Sequence, residues 1–219
     1  MDKYRLLFSK TGRAVYISHL DLMRTLTRAF LRAECRLKYS EGFNPHPQIS
    51  IALPLSVGAE SICEIMDFKL LEDRQPQDIL DALSKQLPEG IEAIEVYSSE
   101  RKVKELKWLK ISGVFEYDER SAEEMAAKLG EFYAQDSIVI TKKTKRGMGE
   151  SDITPAIKEI SFAADGSDVR LNAIISAQEP TLNPELLAEA TRQLCPDIAP
   201  DFAKFRRLEV FDENMGIFR

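Results

Sequence analysis

Two histidines and three cysteines are all that this 219-residue chain offers of the side chains most often recruited for metal and redox chemistry. Cys35, Cys63 and Cys195 are far apart and odd in number, so they suggest neither a disulfide framework nor a CxxC metal pair. They read as three small buried hydrophobes. No GxGxxG fingerprint occurs, and Gly147-Met148-Gly149-Glu150 is not followed by GKS or GKT, so a dinucleotide or P-loop enzyme has no support. No cofactor is expected. Long apolar runs are missing as well: none approaches the roughly 18–20 residues needed to span a bilayer, and the charged start Met1-Asp2-Lys3-Tyr4-Arg5 lacks a signal-peptide core. The expected compartment is the cytoplasm, with no membrane partner.

What remains is an ordinary globular composition. Hydrophobic residues make up 44% and charged residues 30%, which excludes disordered, collagenous and coiled-coil classes. The length allows one sizeable core or two modest ones. The net charge of −6 argues against a polyanionic partner, but the charge is unevenly spread. Residues 1–50 hold nine Lys or Arg against four acids, a net of +5, which leaves −11 for the remainder. Such asymmetry suggests either a polyanion-facing surface at one end or solvated helix and loop charges.

The first hundred residues read as β-α-β-β-α-β. Tyr4 to Phe8 predicts a strand, followed by a turn at Lys10-Thr11-Gly12 and a second apolar stretch, Ala14 to Ile17. Ser18, with Asp21 three residues on, predicts a helix start. Leu22, Leu26, Ala29, Phe30 and Ala33 mark its buried face, while Arg24, Arg28 and Arg32 recur at i, i+4 and i+8 as an exposed basic stripe. Strands are expected at Ile49–Leu55 and Ile62–Leu71, the latter with Glu64 as the one misfit in its apolar alternation. A helix opened by Pro76 and bearing Ile79, Leu80, Leu83 and Leu87, then a strand over Ile91–Tyr97, complete the set.

A polar stretch, Ser98–Lys107, separates this from a second cycle. Strands are expected at 109–117, 137–142, 157–163, 169–176 and 205–211, with helices after Ser121 and over Pro184–Leu194. The predicted fold is therefore α+β: two tandem ferredoxin-like (βαββαβ-type) sandwiches over 1–100 and 107–219, the second with an extra strand or a differently placed hairpin.

Both histidines fall in the segment Tyr16–Gly58. His19 at the helix start suits either a general acid or base or a local packing role, and a site of His19, Asp21 and His46 is a conceivable but unspecific metal set, so no metal is assigned. Gly42-Phe43-Asn44-Pro45-His46-Pro47 should form a stiff loop that either displays Phe43, Asn44 and His46 for recognition or plugs the core with Phe43. If displayed, Phe43 could stack on an unpaired base beside the arginine stripe. Lys142, Lys143, Lys145 and Arg146 form a second basic cluster, expected in a loop and suited either to phosphate contact or simply to solvent.

The motifs FSKTG at Phe8–Gly12, YISHLDLMR at Tyr16–Arg24 and YSEGFNPHPQISIALPLSVG at Tyr39–Gly58 closely resemble the bacterial radical-SAM-linked protein family, an uncharacterised domain. Asp152-Ile153-Thr154-Pro155 and Arg206-Arg207-Leu208-Glu209 resemble its weaker signatures. The resemblance implies a partner, a radical-SAM protein with a cobalamin-binding-like region encoded beside or fused to the domain, and implies no assigned catalytic residue. This chain lacks the CxxxCxxC triplet that would hold a radical-SAM cluster, so it is not such an enzyme by itself. The expected role is a non-catalytic substrate-recognition module, with structured RNA as substrate. Arg24, Arg28, Arg32, Phe43, Asn44 and His46 are its candidate contacts. Two alternatives stand beside it: a metal-independent endoribonuclease using His19, and a protein-docking subunit with no RNA affinity.

Overall fold

The computed structural model describes residues 3–144 and 147–219. The chain divides into two compact units, one running to Glu105 and taking in Arg219, the other spanning Leu106–Phe218. In the first, β1 (Lys3–Lys10) is followed by α1 (His19–Arg32), β2 (Ile49–Ile51), β3 (Glu60–Lys69), α2 (Pro76–Ser84) and β4 (Ile91–Ser98). β1 lies between β4 and β3, and β2 adds to the far edge of β3, giving the antiparallel order β4-β1-β3-β2. Alternation in β1 sends Tyr4, Leu6 and Phe8 to the face covered by Leu22, Leu26, Ala29 and Phe30 of α1 and by Ile79 and Leu83 of α2. Phe68 of β3 sits at the centre of this layer, stacked on Tyr4 and met edge-on by Phe30 at ring-centroid distances of 5.5 and 4.8 Å.

Several boundaries differ from the sequence reading. The strand expected to reach Leu55 ends at Ile51, because Pro54 has no N–H and restricts the residue before it. The apolar stretch from Ala14 begins within a 3-10 turn over Gly12–Tyr16. The misfit Glu64 is fully buried, as is Lys10, whose Nζ donates to the Val15 carbonyl at 3.0 Å. Burial holds the Lys10 ammonium below its ordinary pKa, and the Glu64 carboxylate works in the opposite direction. On the other face of the strands Arg5 and Asp67 lie directly opposite each other in register, and Arg5 Nε donates to Asp67 Oδ1 at 2.7 Å.

In the second unit β5 (Leu106–Glu116), α3 (Ala122–Tyr133), β6 (Val139–Thr144), β7 (Gly147–Asp152), β8 (Ile157–Asp165), β9 (Asp168–Ser176), α4 (Glu185–Leu194) and β10 (Phe202–Asp212) follow in turn. Four strands form an antiparallel sheet in the order β10-β5-β9-β8, while among the described residues β6 and β7 pair only with each other. Where one extra strand was expected, the unit has two, and they form a hairpin of their own. β7 was invisible to apolar alternation because its sequence, GMGESD, has none; pairing with β6 makes it a strand. Lys142 and Lys143 accordingly stand within β6 and not in a loop, whereas Lys145 and Arg146 lie outside the described residues. The outer edge of β6 meets α4: the Gln193 side-chain amide accepts from Thr141 N–H at 2.8 Å and donates to its carbonyl at 2.9 Å. Among the described residues no helix is long and apolar enough to cross a membrane.

Candidate functional site

α1 starts where Ser18 caps it: the hydroxyl accepts from Asp21 N–H at 3.2 Å and donates to the Asp21 carboxylate at 2.8 Å. These bonds, with Arg24 close by, hold the Asp21 carboxyl below its usual pKa. The stripe is exposed, yet its three arginines are not equivalent. Arg24 pairs with Asp21 at 3.0 Å, an exposed i,i+3 contact of small energetic weight. Arg32 donates to the Gln86 carbonyl at 2.6 Å, just beyond the end of α2, so it keeps its charge but is tethered. Arg28 makes no hydrogen bond or ion pair with any described residue and is the stripe's free cation. Leu20 and Leu31, exposed by 65% and 77%, share the outward side of α1 and make that surface less purely basic than spacing implied.

The loop after Tyr39 is closed by its own ends. Ser40 N–H donates to the His46 carbonyl at 2.8 Å, His46 N–H returns a bond to Ser40 Oγ at 3.1 Å, and that oxygen lies 2.9 Å from His46 Nδ1. Tyr39 also bridges to Pro47, and Gln48 N–H donates to the Lys38 carbonyl at 2.7 Å. Gly42, at φ +120°, makes the reversal that L side chains rarely adopt. Phe43 consequently stands out at 112% of reference exposure, with Asn44 exposed beside it in sequence. The core-plug alternative is therefore excluded. His46 is exposed as well, but one ring nitrogen belongs to the loop closure.

His19 is half-buried at the first position of α1, and its imidazole makes no hydrogen bond with any described residue. No arrangement of three His, Cys, Asp or Glu side chains among the described residues could hold a metal ion, so His19, Asp21 and His46 do not converge on one. Cys35 and Cys63 are buried and Cys195 partly so. Burial raises the pKa of the Cys35 thiol, although the Arg74 guanidinium 3.6 Å away pulls it down.

A groove of about 300 Å³ escaped the sequence reading. It runs beside the second half of α1 and is lined by Arg28, Leu31, Glu34, Tyr39 and Leu71 among others. It brings the free cation of the stripe next to the root of the Phe43 loop, through Tyr39. Nothing in local periodicity joins these residues, because Leu37 and Tyr39 lie past the end of α1 in chain that bridges to Leu70 and Pro47.

Over 96% of its length this chain is similar in structure to a chain of the crystal structure of a Cbf5-Nop10-Gar1 complex, with a TM-score of 0.51 and 11% sequence identity. It spans only 50% of that chain, and at this identity the likeness concerns the fold alone. An unknown protein from Galdieria sulphuraria aligns over 94% of this chain and 98% of its own, at 8% identity, but a TM-score of 0.29 is too low to support a shared fold. No curated protein matches. Residues 3–184 match the model of the uncharacterised proteins conserved in bacteria termed DUF2344, and the chain belongs to that family.

Proposed function

We propose that this protein is a non-catalytic accessory module that recognises structured RNA for a separate radical-SAM enzyme with a cobalamin-binding-like region. The observation that carries the RNA reading is Phe43, held wholly in solvent by a loop whose ends are bonded to each other. An aromatic ring without a protein neighbour, on a rigid support near an unengaged arginine, suits stacking on an unpaired base. Arg28 would take a backbone phosphate, with Arg24 and Arg32 adding to the field at its sides. Asn44 and the remaining His46 nitrogen offer hydrogen bonds to base edges. The partner assignment rests on the motifs at Phe8–Gly12, Tyr16–Arg24 and Tyr39–Gly58. Each unit reads as a ferredoxin-like sandwich, a reading supported by the orders β4-β1-β3-β2 and β10-β5-β9-β8 with two helices apiece.

Salt-dependent binding of a stem–loop RNA with an unpaired loop tests this. Arg28→Ala is expected to weaken binding and to flatten the log–log salt slope by about 0.7–0.9, the signature of one lost phosphate contact. Unchanged affinity and slope would remove the stripe from the interface. The RNA should be recovered intact; cleavage that disappears in His19→Ala would make the protein an endoribonuclease instead. Association with the radical-SAM partner without measurable RNA affinity would leave a docking subunit.

A further inference from the structure

Glu34 occupies a backbone position where glycine is the usual choice. α1 closes in a Schellman turn: Cys35 N–H donates to the Phe30 carbonyl at 3.0 Å and Glu34 N–H to the Leu31 carbonyl at 3.1 Å. That turn needs a left-handed residue, and Glu34 supplies it at φ +54°. A glutamate there carries a steric cost that glycine would avoid. Strain of this kind persists where the surroundings fix the backbone, here the turn itself and Arg74, whose guanidinium donates to the Glu34 carbonyl at 2.8 Å, and such positions cluster at functional sites. Glu34 is on the rim of the groove with Arg28, and its carboxylate makes no hydrogen bond or ion pair with any described residue.

The groove's size and lining narrow the choice of ligand. About 300 Å³ is the lower end of the roughly 300–1,000 Å³ range of small-molecule sites, enough for one nucleoside and too small for an extended coenzyme. Leu31, Leu37, Leu71 and the half-exposed ring of Tyr39 provide apolar walls, and Arg28 a cation for a phosphate. An ionised carboxylate only accepts hydrogen bonds. Guanine is the common RNA base that presents two adjacent donors, N1–H and the N2 amine, on its Watson–Crick edge. Adenine and cytosine set a ring acceptor beside their amine, and uracil flanks its single N–H with carbonyls.

We propose that this groove holds one unpaired guanine of the RNA, its ring against Tyr39 and the leucines, its N1–H and N2 amine donating to the Glu34 carboxylate, and its phosphate on Arg28. The assignment rests on the RNA-recognition reading above and deepens it by naming a base. It also predicts an unusual variant: Glu34→Gly relieves the backbone while removing the acceptor, so stability and binding should move in opposite directions.

The test compares binding of oligoadenylate with the same oligomer carrying one central guanine, using the full chain at low salt. The guanine oligomer should bind wild type roughly tenfold or more tightly, the effect of a good bidentate base contact. Glu34→Gly should abolish that preference at a Tm equal to or above wild type. Glu34→Gln, which keeps the shape but turns a donor towards guanine, should abolish it too, and it serves if the glycine variant folds poorly. Equal binding of both oligomers by wild type, or a preference that survives in Glu34→Gln, overturns the guanine assignment and leaves the RNA reading standing. No binding of either oligomer or of the stem–loop RNA overturns both.

Discussion

Phe43→Ala is expected to weaken binding of an unpaired RNA loop by about 1–3 kcal/mol, roughly five- to 150-fold, while leaving the Tm unchanged. The separation of the two effects follows from the loop's construction. Its closure depends on Ser40, His46, Tyr39 and Pro47, none of which needs the phenyl ring. A side chain at 112% of reference exposure leaves no cavity when truncated, and surface changes of that kind usually stay within about 0.5 kcal/mol of wild type. Phe43→Trp should keep or strengthen binding, since the larger face still stacks. Thermal melts alongside fluorescence-anisotropy titrations would measure both quantities. A fall in Tm with unchanged affinity would show that the ring serves the fold.

Asp67→Ala should cost the first unit about 3–5 kcal/mol, a large share of the roughly 5–15 kcal/mol by which domains are stable. Arg5 is 0% exposed, and its guanidinium gives two hydrogen bonds to this carboxylate, at 2.7 and 3.3 Å, and one to the Arg101 carbonyl at 2.9 Å. Lys3 pairs with the same carboxylate from a more exposed position. Removing Asp67 leaves the buried cation without this counter-charge, whereas removing the charges together need not harm the fold. The double variant Arg5→Met, Asp67→Leu is therefore expected to recover most of the loss. Urea unfolding followed by far-ultraviolet circular dichroism, with hydrogen exchange at β1, would place the effect in this unit. A single-variant loss below about 1 kcal/mol would mean that the pair contributes little.

These charges mark the limit of what could be read from the chain. The positive balance of residues 1–50 includes Arg5 and Lys10, both of which the fold takes inside, so the surface field is weaker than the count implied. The basic face of α1 was legible, because 3.6-residue spacing and the Ser18 cap are local. So was the stiffness of the loop, from Gly42 and its two prolines. Which arginine stays free was not, since Arg32 finds the Gln86 carbonyl 54 residues away and Arg24 finds Asp21. The left-handed turn at Glu34 left no mark in the sequence, and the groove it borders required the long-range pairing of Leu37 with Leu70. Likewise β7 depends on its neighbour rather than on its own composition.

The clasp between Gln193 and Thr141 occupies part of a strand edge that would otherwise lie open. A bare strand edge is a template on which a second chain can add, and sheets ordinarily guard it with charge, proline or a covering element. Here an amide from a helix imitates one rung of a neighbouring strand, satisfying the donor and the acceptor that a foreign chain would seek. At Thr141, then, the rung of the β6 edge on which a foreign strand would have to begin is already taken from within the same unit.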